Sequence, residues 1–196
     1  LGFEKYDITE IKGADALFHA DGIIAESEAN ASSLFDSGKT IYSTEGSSLS
    51  IKTMICLAKV SWEAKYKSAN ERPLIVAARN VHISFIHSCA LLDIDVLWLE
   101  SKEDSGILTC QINNKELEEI IKNNKSRIMA VYLTSPDYLG VVLDIESIAD
   151  ICHLNDIMLL VDNALLNGAC AIIMSVIMLC LVLASKKGVK VWQTLI

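Results

Sequence analysis

The sequence predicts an α/β fold, a mainly parallel sheet with helices on both faces. Three observations carry that prediction. Continuous apolar runs recur at Pro73 to Ala78 (PLIVAA), Ile128 to Leu133 (IMAVYL) and Ile157 to Val161 (IMLLV). Segments with helical spacing of apolar residues lie between them. The 196 residues are 52% hydrophobic and 21% charged, enough apolar mass to cover a sheet twice. Strands buried on both faces read as unbroken apolar runs, whereas half-exposed strands alternate.

Gly22 to Phe35 reads as a helix with Ile23, Ile24, Ala31, Leu34 and Phe35 apolar, stopped by Asp36-Ser37-Gly38. Thr40 to Ser43 is a short β-rich run, followed by a turn at Gly46-Ser47-Ser48 and a helix carrying Leu49, Met54, Ile55, Leu57 and Ala58. After the strand at 73–78 come a helix at His82 to Leu92 and a strand at Val96 to Leu99. A helix at Asn114 to Lys122, capped at Asn113 or Asn114, precedes the strand at 128–133. Ile145 to His153 forms the last helix before the strand at 157–161.

Seventeen bases against 25 acids give a net charge of −8, which speaks against a nucleic-acid partner needing a basic face. Six scattered cysteines without a C-x-x-C pair predict buried, reduced thiols and a cytoplasmic location. Leu1 to Lys5 is no signal peptide, and without an initiator Met the expectation is a chain that begins inside a longer polypeptide.

In an open α/β sheet, ligands bind beyond the carboxyl ends of the strands. Four polar clusters follow predicted strands: Ser43 to Ser48, Arg79 to His82, Thr134 to Tyr138, and Asp162-Asn163. Gly46, Ser47 and Ser48 offer either an anion site at a helix N-terminus or an ordinary helix cap. Asp162 either partners a cationic ligand or caps a backbone turn, because an unpaired carboxylate there is costly. His82 reads as a cap, a surface residue or a ligand. His82 and His87 lack the partners of a zinc set, and Cys152-His153 reads as structural, so no metal is expected. The usual dinucleotide and P-loop glycine patterns are absent.

Taken together, these motifs resemble the Orn/Lys/Arg decarboxylase family. Asp7-Ile8-Thr9-Glu10, Gly13 to Leu17 and Gly22-Ile23-Ile24 look like its N-terminal segment. Thr44 to Ser48 is similar to its phosphate-cradling turn, and Arg79 to Ser84 to its R-N-x-H-K-S motif. Thr134 to Gly140 resembles T-x-P-x-Y-x-G, and Val161 to Ala164 the start of V-D-x-A-H. The resemblance implies the large domain of the aspartate-aminotransferase fold (fold type I) and a pyridoxal 5′-phosphate cofactor. Gly46, Ser47 and Ser48 would then hold the cofactor phosphate, with Ser135 nearby in the cofactor site. His82 would stack on the ring, Asp162 would pair with the ring nitrogen, and Ala164 would lie against the ring. The implied reaction is decarboxylation of ornithine, lysine or arginine, in a homo-oligomer.

The chain also departs from the pattern. Ile83 stands at the lysine of R-N-x-H-K-S, and Leu165 at the histidine of V-D-x-A-H. The family's lysine motif S-x-H-K is missing; Ser185-Lys186-Lys187 supplies Lys187 as the candidate catalytic lysine without the histidine before it. The expectation is a partial large domain over residues 1–164 and a divergent apolar tail over 165–196. All 25 acids and 14 of the 17 bases precede residue 163, a net of −11, while the tail carries Lys186, Lys187 and Lys190 and no acid. Its run Ala169 to Leu183 is uncharged. A truncated or frame-shifted reading frame, a buried helix or strand completing the sheet, and a membrane anchor all account for it. The anchor is the least expected, because the upstream chain reads as a cytosolic enzyme. The expected outcome is a chain inactive alone that binds the cofactor weakly or not at all. The alternative is a non-catalytic remnant or interaction protein that keeps the fold.

Overall fold

The computed structural model describes residues 2, 4–6, 13–66, 71–100, 111–124, 126–163, 180–184 and 191–195. Five helices occupy Ile23–Leu34 (α1), Gly46–Lys65 (α2), Ile83–Leu91 (α3), Asn114–Asn124 (α4) and Ile145–Leu154 (α5). Six strands occupy Leu74–Ala78 (β1), Asp95–Leu99 (β2), Ile128–Thr134 (β3), Met158–Asp162 (β4), Cys180–Ala184 (β5) and Val191–Leu195 (β6).

One sheet runs in the order β2-β1-β3-β4-β6-β5. Every neighbouring pair is parallel except β5 with β6, which is antiparallel. All five residues of β1 and all seven of β3 are buried. Their side chains divide between two cores. Leu74, Val76, Val131, Leu133, Leu159 and Val161 pack with Leu117 and Ile121 of α4 and Ile148 and Cys152 of α5. Ile75, Ala77, Tyr132 and Leu160 pack with Ile51, Met54 and Ile55 of α2 and Phe85 and Cys89 of α3. Helices therefore cover both faces, as the apolar runs require.

Two expectations change. Thr40 to Ser43 is not a strand of the sheet. The Tyr42 amide donates to Glu28 Oε1 at 2.9 Å, and its hydroxyl donates to the Ser27 carbonyl at 3.1 Å. The segment is fastened to α1 by one side-chain and one backbone acceptor, and the Glu28 carboxylate takes up the amide a ladder would use. In the tail, residues 180–184 and 191–195 extend the sheet beyond β4, which is the sheet-completing reading. No helix among the described residues is long and apolar enough to cross a membrane.

The chain leaves β1 for β2 on one side and returns to β3 on the other. That reversal opens a crevice at the carboxyl ends of β1 and β3, the usual ligand position in such sheets.

Candidate functional site

The carboxyl ends of β1, β3 and β4 lie at one edge because the three strands are parallel and in register, with Thr134 beside Asp162. Alternation along β3 and β4 puts Tyr132 and Thr134, with Leu160 and Asp162, on the face covered by α2 and α3. Both of those helices begin at the same edge.

His82 is the N-cap of α3. Its Nδ1 accepts from the Ser84 amide at 3.2 Å, which places the proton of a neutral ring on Nε2. Ser84 Oγ lies 3.0 Å from the same nitrogen and donates to Ser48 Oγ at 2.9 Å. Ser48 sits in the first turn of α2, so the two helix N-termini are joined side chain to side chain. The capping reading of His82 therefore holds. The Gly46-Ser47-Ser48 turn differs from an ordinary cap, because the α2 N-cap, Glu45, makes no side-chain capping bond. Gly46 has φ of +63°, a conformation that favours glycine, and a side chain there would project into open space.

Asp162 ends β4 with 2% exposure. Its Oδ2 accepts from the hydroxyl of Tyr132, itself fully buried, at 2.9 Å, and its carbonyl accepts from the Ser135 amide at 3.0 Å. Burial first, then the Asp162 carboxylate, pushes the Tyr132 hydroxyl well above the ordinary phenol range, so it stays a donor at neutral pH. Ser135 opens the loop after β3 through a cis bond to Pro136. Its Oγ accepts from the Leu143 amide at 3.1 Å, while Asp137 Oδ1 accepts from the Leu139 and Val141 amides at 2.9 Å each. Ser135 thus braces this loop as well as lying at the edge.

Asn80 Oδ1, Thr134 Oγ1 and Asn163 Oδ1 are buried without a hydrogen-bond partner among the described residues. They follow or end β1, β3 and β4, the three strands whose ends form the edge. Buried polar atoms are nearly always paired, so these three are available to a polar ligand at this edge. An open helix start for an anion, a buried carboxylate for a cationic ring and unpaired polar atoms at the same strand ends fit a phosphorylated pyridine. The described residues contain no cluster of metal-ligating side chains.

The structure places Ser48 and His82 at the joined starts of α2 and α3, with Gly46 and Ser47 in the same turn, and Ser135 beside Asp162 at the ends of β3 and β4. Ala164 and Lys187 lie outside the described residues. Sequence reasoning assigned no role to Tyr132, Ser84, Asn80 or Thr134. Tyr132 was detectable as the one hydroxyl inside the run IMAVYL.

The family described as "Orn/Lys/Arg decarboxylase, major domain" matches residues 3–189. The match runs past residue 164, where the resemblance was expected to end, and takes in Lys186 and Lys187. An arginine decarboxylase of Halalkalibacterium halodurans is 25% identical over 159 residues, which make up 81% of this chain and 30% of that protein. One from Bacillus cereus is 27% identical over 163 residues, 81% of this chain and 32% of that protein. The chain therefore spans about a third of the length of these relatives. Among solved structures, Lactobacillus brevis glutamate decarboxylase superposes with a TM-score of 0.61 at 14% identity, covering 77% of this chain and 37% of that one. That similarity establishes the fold as the one found in such decarboxylases.

Proposed function

Since the chain belongs to the Orn/Lys/Arg decarboxylase family, we propose that it is part of a pyridoxal-phosphate-dependent decarboxylase acting on ornithine, lysine or arginine. The observation that carries the reading is the buried Asp162 carboxylate at the same strand edge as the His82–Ser84–Ser48 chain. The relatives named arginine decarboxylase support a basic substrate. A homo-oligomer in the cytoplasm, without a nucleic-acid partner, completes the proposal.

Gly46, Ser47 and Ser48 would hold the phosphate through amides and hydroxyls at the start of α2. His82 would lie against the ring, and Ala164 beside it. Asp162 would hold a proton on the ring nitrogen by offering that cation a buried counter-charge. With the nitrogen protonated, the bound cofactor supplies an electron sink for the carbanion left when CO2 departs. Ser135 would fix the loop that borders the ring. Lys187 is the candidate for the covalent attachment and for proton transfer at the substrate carbon.

This chain is proposed to be inactive by itself, because no histidine precedes Lys187 to position it. An error of about 1 Å in such placement costs roughly 10²-fold in rate. The missing S-x-H-K motif also favours the second reading, a fold kept without catalysis. Incubation of the chain with pyridoxal 5′-phosphate and each amino acid, following CO2, tests the activity. No release above the free-cofactor background is expected. Release abolished by Lys187→Ala would overturn the inactivity and assign the lysine. Equilibrium titration with the cofactor tests the site: weak binding, lost in Asp162→Ala, is expected, and binding that ignores this substitution would sink the assignment.

A further inference from the structure

We propose that Tyr132 is the positioning residue for Asp162, holding its carboxylate ionised and in one orientation at the strand edge; the inference rests on the cofactor reading above. The hydroxyl donates to Asp162 Oδ2 at 2.9 Å from the neighbouring strand. The residues beside Tyr132 in register are Ala77 and Leu160, both buried and apolar. The sheet therefore asks for no hydroxyl at this height, and among the described residues this one donates to the carboxylate two residues beyond Leu160 on β4.

The donor is itself held. The Tyr132 ring packs on Phe85 with centroids 4.4 Å apart, and Phe85 meets Trp98 of β2 edge-on at 6.0 Å. Phe85 lies in the first turn of the helix that His82 opens. A packed aromatic stack thus connects the start of α3 to β3, and the Tyr132 hydroxyl carries the connection on to Asp162 at the end of β4. A carboxylate with 2% exposure tends to take up a proton or turn toward solvent. A charge-assisted hydrogen bond from a fixed donor opposes both. Cys89 of α3 and Tyr138 of the loop after β3 are the other titratable groups that act on the hydroxyl when ionised. Burial pushes the Cys89 thiol up to about 12, so it is neutral in the working range.

The test is carbon-13 NMR of the Asp162 carboxyl in the whole 196-residue chain, with Asp162→Asn identifying the resonance. Tyr132→Phe keeps the ring and removes the donor. Its expected effect is a rise of about one to two pH units in the Asp162 midpoint, with near-ultraviolet circular dichroism retained. A midpoint that stays within about 0.3 of a unit overturns the proposal. If Tyr132→Phe does not fold, Phe85→Leu loosens the stack and leaves the hydroxyl; a smaller rise supports the proposal and no rise overturns it. Binding of pyridoxamine 5′-phosphate separates this inference from the one beneath it. Weaker binding in both Asp162→Asn and Tyr132→Phe supports both. Weaker binding in Asp162→Asn alone overturns the role of Tyr132. Binding unchanged in Asp162→Asn overturns the cofactor reading and the positioning role with it.

Discussion

The hydroxyl contact between Ser48 and Ser84 predicts a measurable coupling between the starts of α2 and α3. Ser84 is buried and its Oγ lies 2.9 Å from Ser48 Oγ and 3.0 Å from His82 Nδ1. Ser84→Ala removes the hydrogen bond its hydroxyl donates to Ser48, worth about 0.5–1.5 kcal/mol net, and no second bond, because the single hydroxyl proton is spent on Ser48. Alanine recovers roughly 0.5 kcal/mol through helix propensity, leaving a loss of up to about 1 kcal/mol. Ser48→Ala removes the same bond with the same recovery, for a loss of up to about 1 kcal/mol. The double variant should lose less than the sum, because the shared bond is removed only once. The expected coupling is about 1 kcal/mol, read by urea unfolding of the four proteins at neutral pH. At a slope of about 1–3 kcal/mol per molar, that is a midpoint difference of roughly 0.3–1 M. Losses that add within about 0.3 kcal/mol would refute the reasoning, since independent sites behave that way. The phosphate turn and the histidine would then be neighbours without mechanical connection.

Three further outcomes are expected. Leu159→Ala, at a fully buried position of β4, should cost about 2–5 kcal/mol in chemical denaturation through the cavity it leaves. The Asp144 carboxyl caps α5, and hydrogen bonds from the Ser147 hydroxyl and amide hold its pKa below the ordinary value. A pKa lowered in the fold contributes stability at neutral pH and loses it as acid protonates the group. The thermal penalty of Asp144→Ala should therefore shrink between pH 7 and roughly pH 2.5, and a constant penalty would count against the cap. Cys56 is exposed, whereas burial pushes the thiols of Cys89 and Cys152 up to about 12. Peptide mapping after brief alkylation should find Cys56 modified long before the other two, and early labelling of Cys89 would contradict the packing of α3.

The strands at 73–78, 128–133 and 157–161 were legible because a strand covered on both faces has no polar side to interrupt it. Thr40 to Ser43 misled for a nonlocal reason. The acceptor that takes the Tyr42 amide is Glu28, one helix earlier, and no local pattern announces it. The apolar tail admitted several readings because an uncharged run carries no period by which to separate a strand from a helix. At the edge, His82 and Asp162 stood out as polar residues placed where apolar runs stop. Tyr132 did not, because a tyrosine inside a buried strand reads as core until the position of Asp162 beside it is known. The orphaned oxygens of Asn80, Thr134 and Asn163 are visible only once burial is known for each atom.

The place of β1 between β2 and β3 bears on how the chain reaches its fold. Both of its neighbours, β2 and β3, come later in the sequence, and the second arrives only after a helix and a further crossover. During synthesis, the stretch between Ala78 and Thr134 takes roughly 3–10 s to emerge at about 5–20 residues per second. Throughout that interval one side of this wholly apolar strand presents unpaired amides and carbonyls. Parallel pairings of this kind close large loops before contacts reward them, so the nascent chain folds slowly and with a sticky edge. A chaperone acting on it would have its earliest work at Leu74 to Ala78, well before the ligand crevice exists.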